Sequence, residues 1–373
     1  MVRQRYLLMV VTVALLIIAM VLSAGEPASG LIRLPNHRLS LILMSSLLIA
    51  GWALIARRTA DDRAMFVLIV AWVCLSMMEL PVQSAASSVL IVAAAGATGL
   101  LLIWRVRFSD ASSRMWTIGM VLASAGIVLV RIPSVPVTVG DWAALAGMSV
   151  AAVALSFTLA ARYAKLSRDW VQTGVQTTGF FILTSAMAGA LTSDALPALR
   201  PLAAVIAVMA HLLYAAHLHA TLVAPRVKSV FVAYWVALQA ACWLVASTVG
   251  LFGAWTATDD PSGAGAGLIA FGVMAGVLGA FNDLSADMRG STVRTTGLTS
   301  FWLVSAGIFW LGLLAFGTNI VFWVAGPSSP SAQAAAIALQ TLSVWGWLLI
   351  SGGLAVFLLA FILRRPAFSQ PSR

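Results

Sequence analysis

Twelve separate apolar runs divide this chain, each near the length that crosses the hydrocarbon core of a bilayer, and no other feature constrains its fold as tightly. A core about 30 Å thick needs roughly 20 helical residues at about 1.5 Å each. The runs cover approximately residues 6–24, 38–56, 64–81, 85–104, 115–133, 141–161, 172–192, 199–224, 229–255, 264–282, 298–324 and 335–363. Backbone groups in hydrocarbon must find partners within their own segment, so such runs are expected as helices. The expected fold is all-α, a polytopic integral membrane bundle of about 12 transmembrane helices, with residues 1–373 forming a single transmembrane domain and no soluble domain. Composition agrees, because 61% hydrophobic and 9% charged residues exclude an ordinary water-soluble domain. Only Leu80 to Gln83, with Pro81 as a breaker, part the third run from the fourth. Were those two one re-entrant hairpin, every later helix would invert.

Charge sets the orientation. With the amino terminus inside, all of the 22 Lys and Arg except Arg33, Arg38, Arg131 and Arg200 fall in inner segments. That asymmetry obeys the positive-inside rule and predicts two cytoplasmic termini. A net charge of +10 would suggest nucleic acid in a soluble protein, but here the basic residues flank helices, so no nucleic-acid partner is expected. The first run resembles a secretory signal in its Arg3 and Arg5, yet Tyr6 to Ser23 is long for one, and it reads as a retained anchor. Cys74 and Cys242 lie inside apolar runs and read as packing residues without a disulfide. Trp104, Trp116, Trp142, Trp170, Trp255 and Trp323 sit near helix ends, as an interfacial belt requires, while Trp72, Trp243, Trp310 and Trp347 lie deeper.

An ionisable group at membrane depth is costly and marks function, and this chain has few. No acid or base reaches the midplane; Glu79, Asp141 and Asp283 come nearest, within a turn or so of a helix end. That argues against ion-coupled transport. The eighth run is different, carrying His211, His217 and His219 in the stretch HLLYAAHLHA. These are the candidate cofactor-binding residues, with His211 or His217 as an axial haem ligand or part of a metal site. The competing reading has the same imidazoles bonding neighbouring helices. A second haem ligand would have to face them at equal depth, whereas the remaining histidine, His37, stands at the outer mouth of the second run. The chain holds no CxxC, HExxH, P-loop or GxSxG motif, and it reads away from an enzyme. Small-residue stretches such as Ala93 to Ala97 and Gly263 to Gly267 suggest close helix packing, and Gln239, Gln340 and Asn319 are expected to bond across helices.

Several stretches resemble subunit I of the haem-copper oxidases. Arg33-Leu34-Pro35-Asn36-His37, leading into a helix that ends Ala56-Arg57-Arg58-Thr59, is similar to the entry and exit of the second helix in cbb3-type subunits. Ser300 to Ile308 looks like the opening of their eleventh helix. Pro225-Arg226 and Met288-Arg289-Gly290 look like features of the smaller NnrS-type relatives. The resemblance implies twelve helices with ligands on the second, sixth, seventh and tenth. Here the sixth, seventh and tenth runs hold no histidine, so it implies a member without the catalytic metal centre.

The leading expectation is thus a non-catalytic accessory or structural subunit of a respiratory or other membrane complex, contacting lipids and partner membrane subunits in a cell membrane, most simply a bacterial inner membrane. One alternative is a major facilitator-like transporter for a neutral or lipophilic solute, on the faint likeness of Ala56 to Arg63 to that family's loop motif. Another is a haem-binding membrane oxidoreductase using His211 or His217.

Overall fold

The computed structural model describes residues 2–25, 36–55, 62–79, 85–105, 110–132, 134, 137–164, 168–194, 196–222, 230–256, 264–289, 294–326 and 328–363. These form twelve α-helices and no strand: α1 (Val2–Gly25), α2 (Asn36–Leu54), α3 (Asp62–Glu79), α4 (Ala85–Arg105), α5 (Ala111–Leu129), α6 (Val137–Ala164), α7 (Arg168–Asp194), α8 (Arg200–Leu222), α9 (Val230–Thr256), α10 (Ala264–Arg289), α11 (Arg294–Ala325) and α12 (Pro330–Leu363). Most run a few residues beyond their apolar stretch, since caps and polar turns extend a helix past its apolar part. At α5 the extension is a capping box, in which the Asp110 carboxylate accepts from the Ser113 backbone N–H. Residues 33–35 and 225–226 of the resemblances, residues 56–61 of the loop likeness, and the His37 side chain lie outside the described residues.

The third and fourth runs are two full helices of 18 and 21 residues. They are tied where Trp72 Nε1 donates to Thr98 Oγ1 at 2.8 Å. Eight of the twelve helices are long and apolar enough to cross a membrane, and α2, α3 and α9 contain shorter apolar segments. The exception is α7, the least apolar of the set.

Successive helices pack side by side, and α12 closes the ring on α1. At this end Tyr6 stacks on Phe361 with ring centroids 5.6 Å apart, and its hydroxyl donates to the Phe361 carbonyl, so the two terminal helices meet at their outermost turns. The neighbour relations repeat every four helices. Helices α3 to α6, α7 to α10, and α11 through α12 and α1 to α2 form three arcs. Their last members, α2, α6 and α10, touch one another at the centre. Shifting the numbering by four carries the contact of α1 with α3 onto α5 with α7 and α9 with α11, and that of α2 with α5 onto α6 with α9 and α10 with α1. Burial follows from this plan, for the apolar spans of α6 and α10 are 83% and 78% buried, against 28% in α8 and α11.

Small residues set the closest approaches. A Cβ built on Gly147 would lie 2.3 Å from the Ala123 backbone nitrogen and 2.5 Å from the Gly119 carbonyl oxygen, so the α5 and α6 backbones are in direct contact. The Ala93 to Ala97 stretch does not pack this way. Ala93, Gly96 and Ala97 face outward, and nothing lies within 4 Å of a Cβ on Gly96. Trp116 also departs from expectation. It is fully buried against Gly51, its Nε1 donating to the Leu47 carbonyl, so it packs a core instead of joining an interfacial belt. Cys74 faces outward, Cys242 is buried, and both are free thiols.

Candidate functional site

Three large buried polar side chains, Gln239, Tyr214 and His211, each with a polar atom that finds no hydrogen-bond partner among the described residues, gather inside the arc α7 to α10, against α6. Gln239 of α9 is fully buried and meets Ser156 of α6, whose Oγ lies 2.5 Å from Gln239 Oε1 and 2.9 Å from the Ala152 carbonyl oxygen. This is the helix-to-helix amide contact expected of Gln239. One hydroxyl hydrogen serves two acceptors, and Gln239 Nε2 finds no partner among the described residues. Exchanging the amide's oxygen and nitrogen would let Nε2 donate to Ser156 and the hydroxyl donate to Ala152, leaving the oxygen without a partner instead. Either way one end of the amide remains available. Gly276 of α10 makes room for it, since a Cβ there would stand 2.8 Å from Oε1.

Tyr214 and His211 of α8 complete the cluster. The Tyr214 hydroxyl is turned toward Ser156 without reaching hydrogen-bond geometry, and His211 Nδ1 has no partner among the described residues. Both rings lean on Trp243 of α9, with centroids 5.1 Å away for Tyr214 and 5.6 Å for His211. The indole is held in turn, its Nε1 donating to the Ile269 carbonyl at 3.0 Å. It fills the groove left by Gly272, where a Cβ would fall 2.3 Å from Nε1.

The three candidate histidines do not share a site. At about 100° per residue, His217 and His219 point to nearly opposite sides of α8. His217 is half-buried between Trp170 of α7 and Phe157 of α6, with ring centroids 5.6 and 6.4 Å away, while His219 is exposed. A haem bound by two imidazoles needs them on facing helices, whereas the three with described side chains share α8. It also needs a flat gap beside the ligand, and the Trp243 indole stands beside the His211 ring. Two facing imidazoles are not found among the described side chains. Among the described residues no group of three or more His, Cys, Asp or Glu could hold a metal ion. What the cluster offers is hydrogen-bond donors and acceptors, without a nucleophile and base in contact.

One functional-looking pair went unseen in the sequence. Asp283 of α10, 2% exposed, forms an ion pair with Arg162 of α6 at 2.5 Å. It joins two of the three central helices near their carboxyl-terminal ends. Each residue taken singly belongs to a loop-proximal charge, and 121 positions separate them, so only the packing of α6 on α10 reveals the pair. No protein-family profile matches the chain, and no curated protein is significantly similar to it in sequence.

Proposed function

We propose that this protein is a non-catalytic membrane subunit built on a haem-copper-oxidase-like frame, spanning the bilayer twelve times with both termini on the cytoplasmic side of a cell membrane and acting through contacts with lipids and partner subunits. The observation that carries this reading is the central trio. The resemblance puts ligands on the second, sixth, seventh and tenth helices, and α2, α6 and α10 are the helices at the centre of this fold. In place of paired imidazoles beside α10 stand the Trp243 indole and the Gln239 amide, seated on Gly272 and Gly276. Side chains fill this side of α10, which favours a scaffold over an oxidoreductase.

The four-helix period also weighs against the transporter alternative. A major facilitator is built from two six-helix halves, each with its own internal repeat. Here α6 and α7 pack together across the would-be division, and the contacts repeat by four.

The test is purification from its native membrane in mild detergent, followed by a pyridine haemochrome assay and subunit stoichiometry. The expected outcome is a haem-free protein that co-purifies with a membrane partner at a fixed ratio. One b-type haem per chain would establish the oxidoreductase alternative. Selective stabilisation of a partner-free protein by one class of neutral solute would support the transporter.

A further inference from the structure

The anomaly of the fold is α7. It lies between α6 and α8, both apolar spans, and must run with them, yet its composition suits a lipid-facing helix least of the twelve. Only part of its polarity is spent on the interior, at the buried Thr178 and Ser185. Thr173 and Gln176 are exposed, and so are Phe180, 64% exposed, and Met187, 67% exposed. Thr184, half-buried, completes a row at spacings of three and four residues, the heptad periodicity of one helix seam. Thr184 of this row is internally accounted for, its Oγ1 donating to the Phe180 carbonyl at 2.9 Å. Gln176 is another matter, because a primary amide has two donors and an acceptor that its own helix backbone does not satisfy. It stands eight residues from Arg168, about 12 Å along the helix axis, which on the bilayer-spanning reading puts it inside the hydrocarbon.

We infer that this seam of α7 is the dimer interface of the protein, and that its occupant is α7 of a second copy. The argument rests on the bilayer-spanning reading above and on self-complementarity. A carboxamide is donor and acceptor at once, and a two-fold axis along the membrane normal brings Gln176 of one protomer opposite the same residue at the same depth, where each amide can donate to the other. The same axis sets Thr173 against Thr173 and Phe180 against Phe180, small and large residues in matching layers. A partner of different sequence would need a polar side chain at this depth by coincidence; a second copy supplies it by symmetry.

The test uses the full chain carrying Cys74→Ser and Cys242→Ala, in its native membranes, with a single cysteine introduced by Gln176→Cys, Thr173→Cys or, as an outward-facing control, Trp345→Cys. Mild oxidation is expected to give a disulfide-linked homodimer from the first two and not from the control. Equal cross-linking at all three positions, or none at Gln176→Cys and Thr173→Cys, overturns the inference, as does a product linked to a different protein. In a second measurement, Gln176→Leu in the otherwise natural chain is expected to weaken self-association in lipid roughly threefold, the size of an average interhelical hydrogen bond in membranes. Unchanged self-association overturns the inference. Alkaline carbonate extraction separates the two claims. Release into the aqueous phase removes the bilayer reading and the dimer with it, whereas a retained protein that fails to cross-link removes the dimer alone.

Discussion

A carboxylate that is 2% exposed and paired with a guanidinium that is 39% exposed makes an unequal bond between Asp283 and Arg162. Loss of Arg162 takes the ion-pair partner from a carboxylate held in the interior. Loss of Asp283 leaves a cation that can still turn toward water or headgroups. Arg162→Leu is therefore expected to destabilise the fold by up to about 3–5 kcal/mol, the range for breaking a buried ion pair, and Asp283→Asn by clearly less. Thermal unfolding in detergent of the two variants checks the order, and equal losses would mean that the unequal burial of the two partners has no energetic consequence. The double variant should be more stable than Arg162→Leu alone, since removing the carboxylate removes the buried charge that the guanidinium no longer offsets. At this scale the sequence is only half legible. His211 stands out because a titratable ring in an apolar run is rare, and the structure does bury it. Gln239 stands out as a mid-helix amide and Trp243 as a deep tryptophan, but neither names its neighbours, and Ser156 does not stand out at all, because a serine in a helix has no period or motif. They become a cluster only when α6, α8 and α9 are brought together. Asp283 reads as a helix-end charge for the same reason.

Helices are where reading the chain succeeds. A run that must satisfy its backbone internally and match a fixed thickness leaves little freedom, so all twelve segments emerge with ends displaced by a few residues. What composition does not reveal is which face of a helix is inside. A row of alanine and glycine is equally suited to a partner's backbone and to open space, and α4 and α6 show the two outcomes. On α6, Gly147 meets the backbone of α5 at Ala123 and Gly119, whereas Gly96 on α4 meets nothing. Gly147→Ala must push two backbones apart and is expected to cost about 1–3 kcal/mol or more. Gly96→Ala adds a methyl to open space and restricts the unfolded chain, so it should be neutral or stabilising by up to about 1 kcal/mol. Melting temperatures of the two variants side by side decide the matter. If Gly96→Ala were the more damaging, α4 would be engaged with something that covers it. Trp116 makes a related point, since proximity to a helix end places a tryptophan at an interface only where no neighbouring helix offers a pocket such as that over Gly51.

Orientation belongs to the molecule as a whole, and it is the property on which every argument about depth rests. The fold fixes relative directions: α1 and α12 meet at Tyr6 and Phe361, and α6 and α10 are joined at the same ends by Arg162 and Asp283. It does not by itself say which end faces the cytoplasm. On the proposed twelve-span reading the distribution of Lys and Arg supplies it, because a cationic loop is hard to translocate and that topology puts all but four of the 22 at one end of the bundle. Positions 105 and 131 give the sharpest comparison. Arg105 closes α4, a short connection leads to Asp110 at the cap of α5, and Arg131 lies just beyond the far end of that helix, some 20 residues and about 30 Å away. In a variant lacking Cys74 and Cys242, a cysteine at 105 should react with a membrane-impermeant maleimide only after the membrane is opened, and one at 131 in intact cells. Labelling of both from the same side would break the alternation between α4 and α5 and, with it, the depth assigned to Gln176. Labelling of both in reversed order would preserve the ring, its three arcs and its central helices, and would instead put the Arg162–Asp283 pair at the outer surface, where a charge pair that clamps α6 to α10 would meet extracellular ionic conditions.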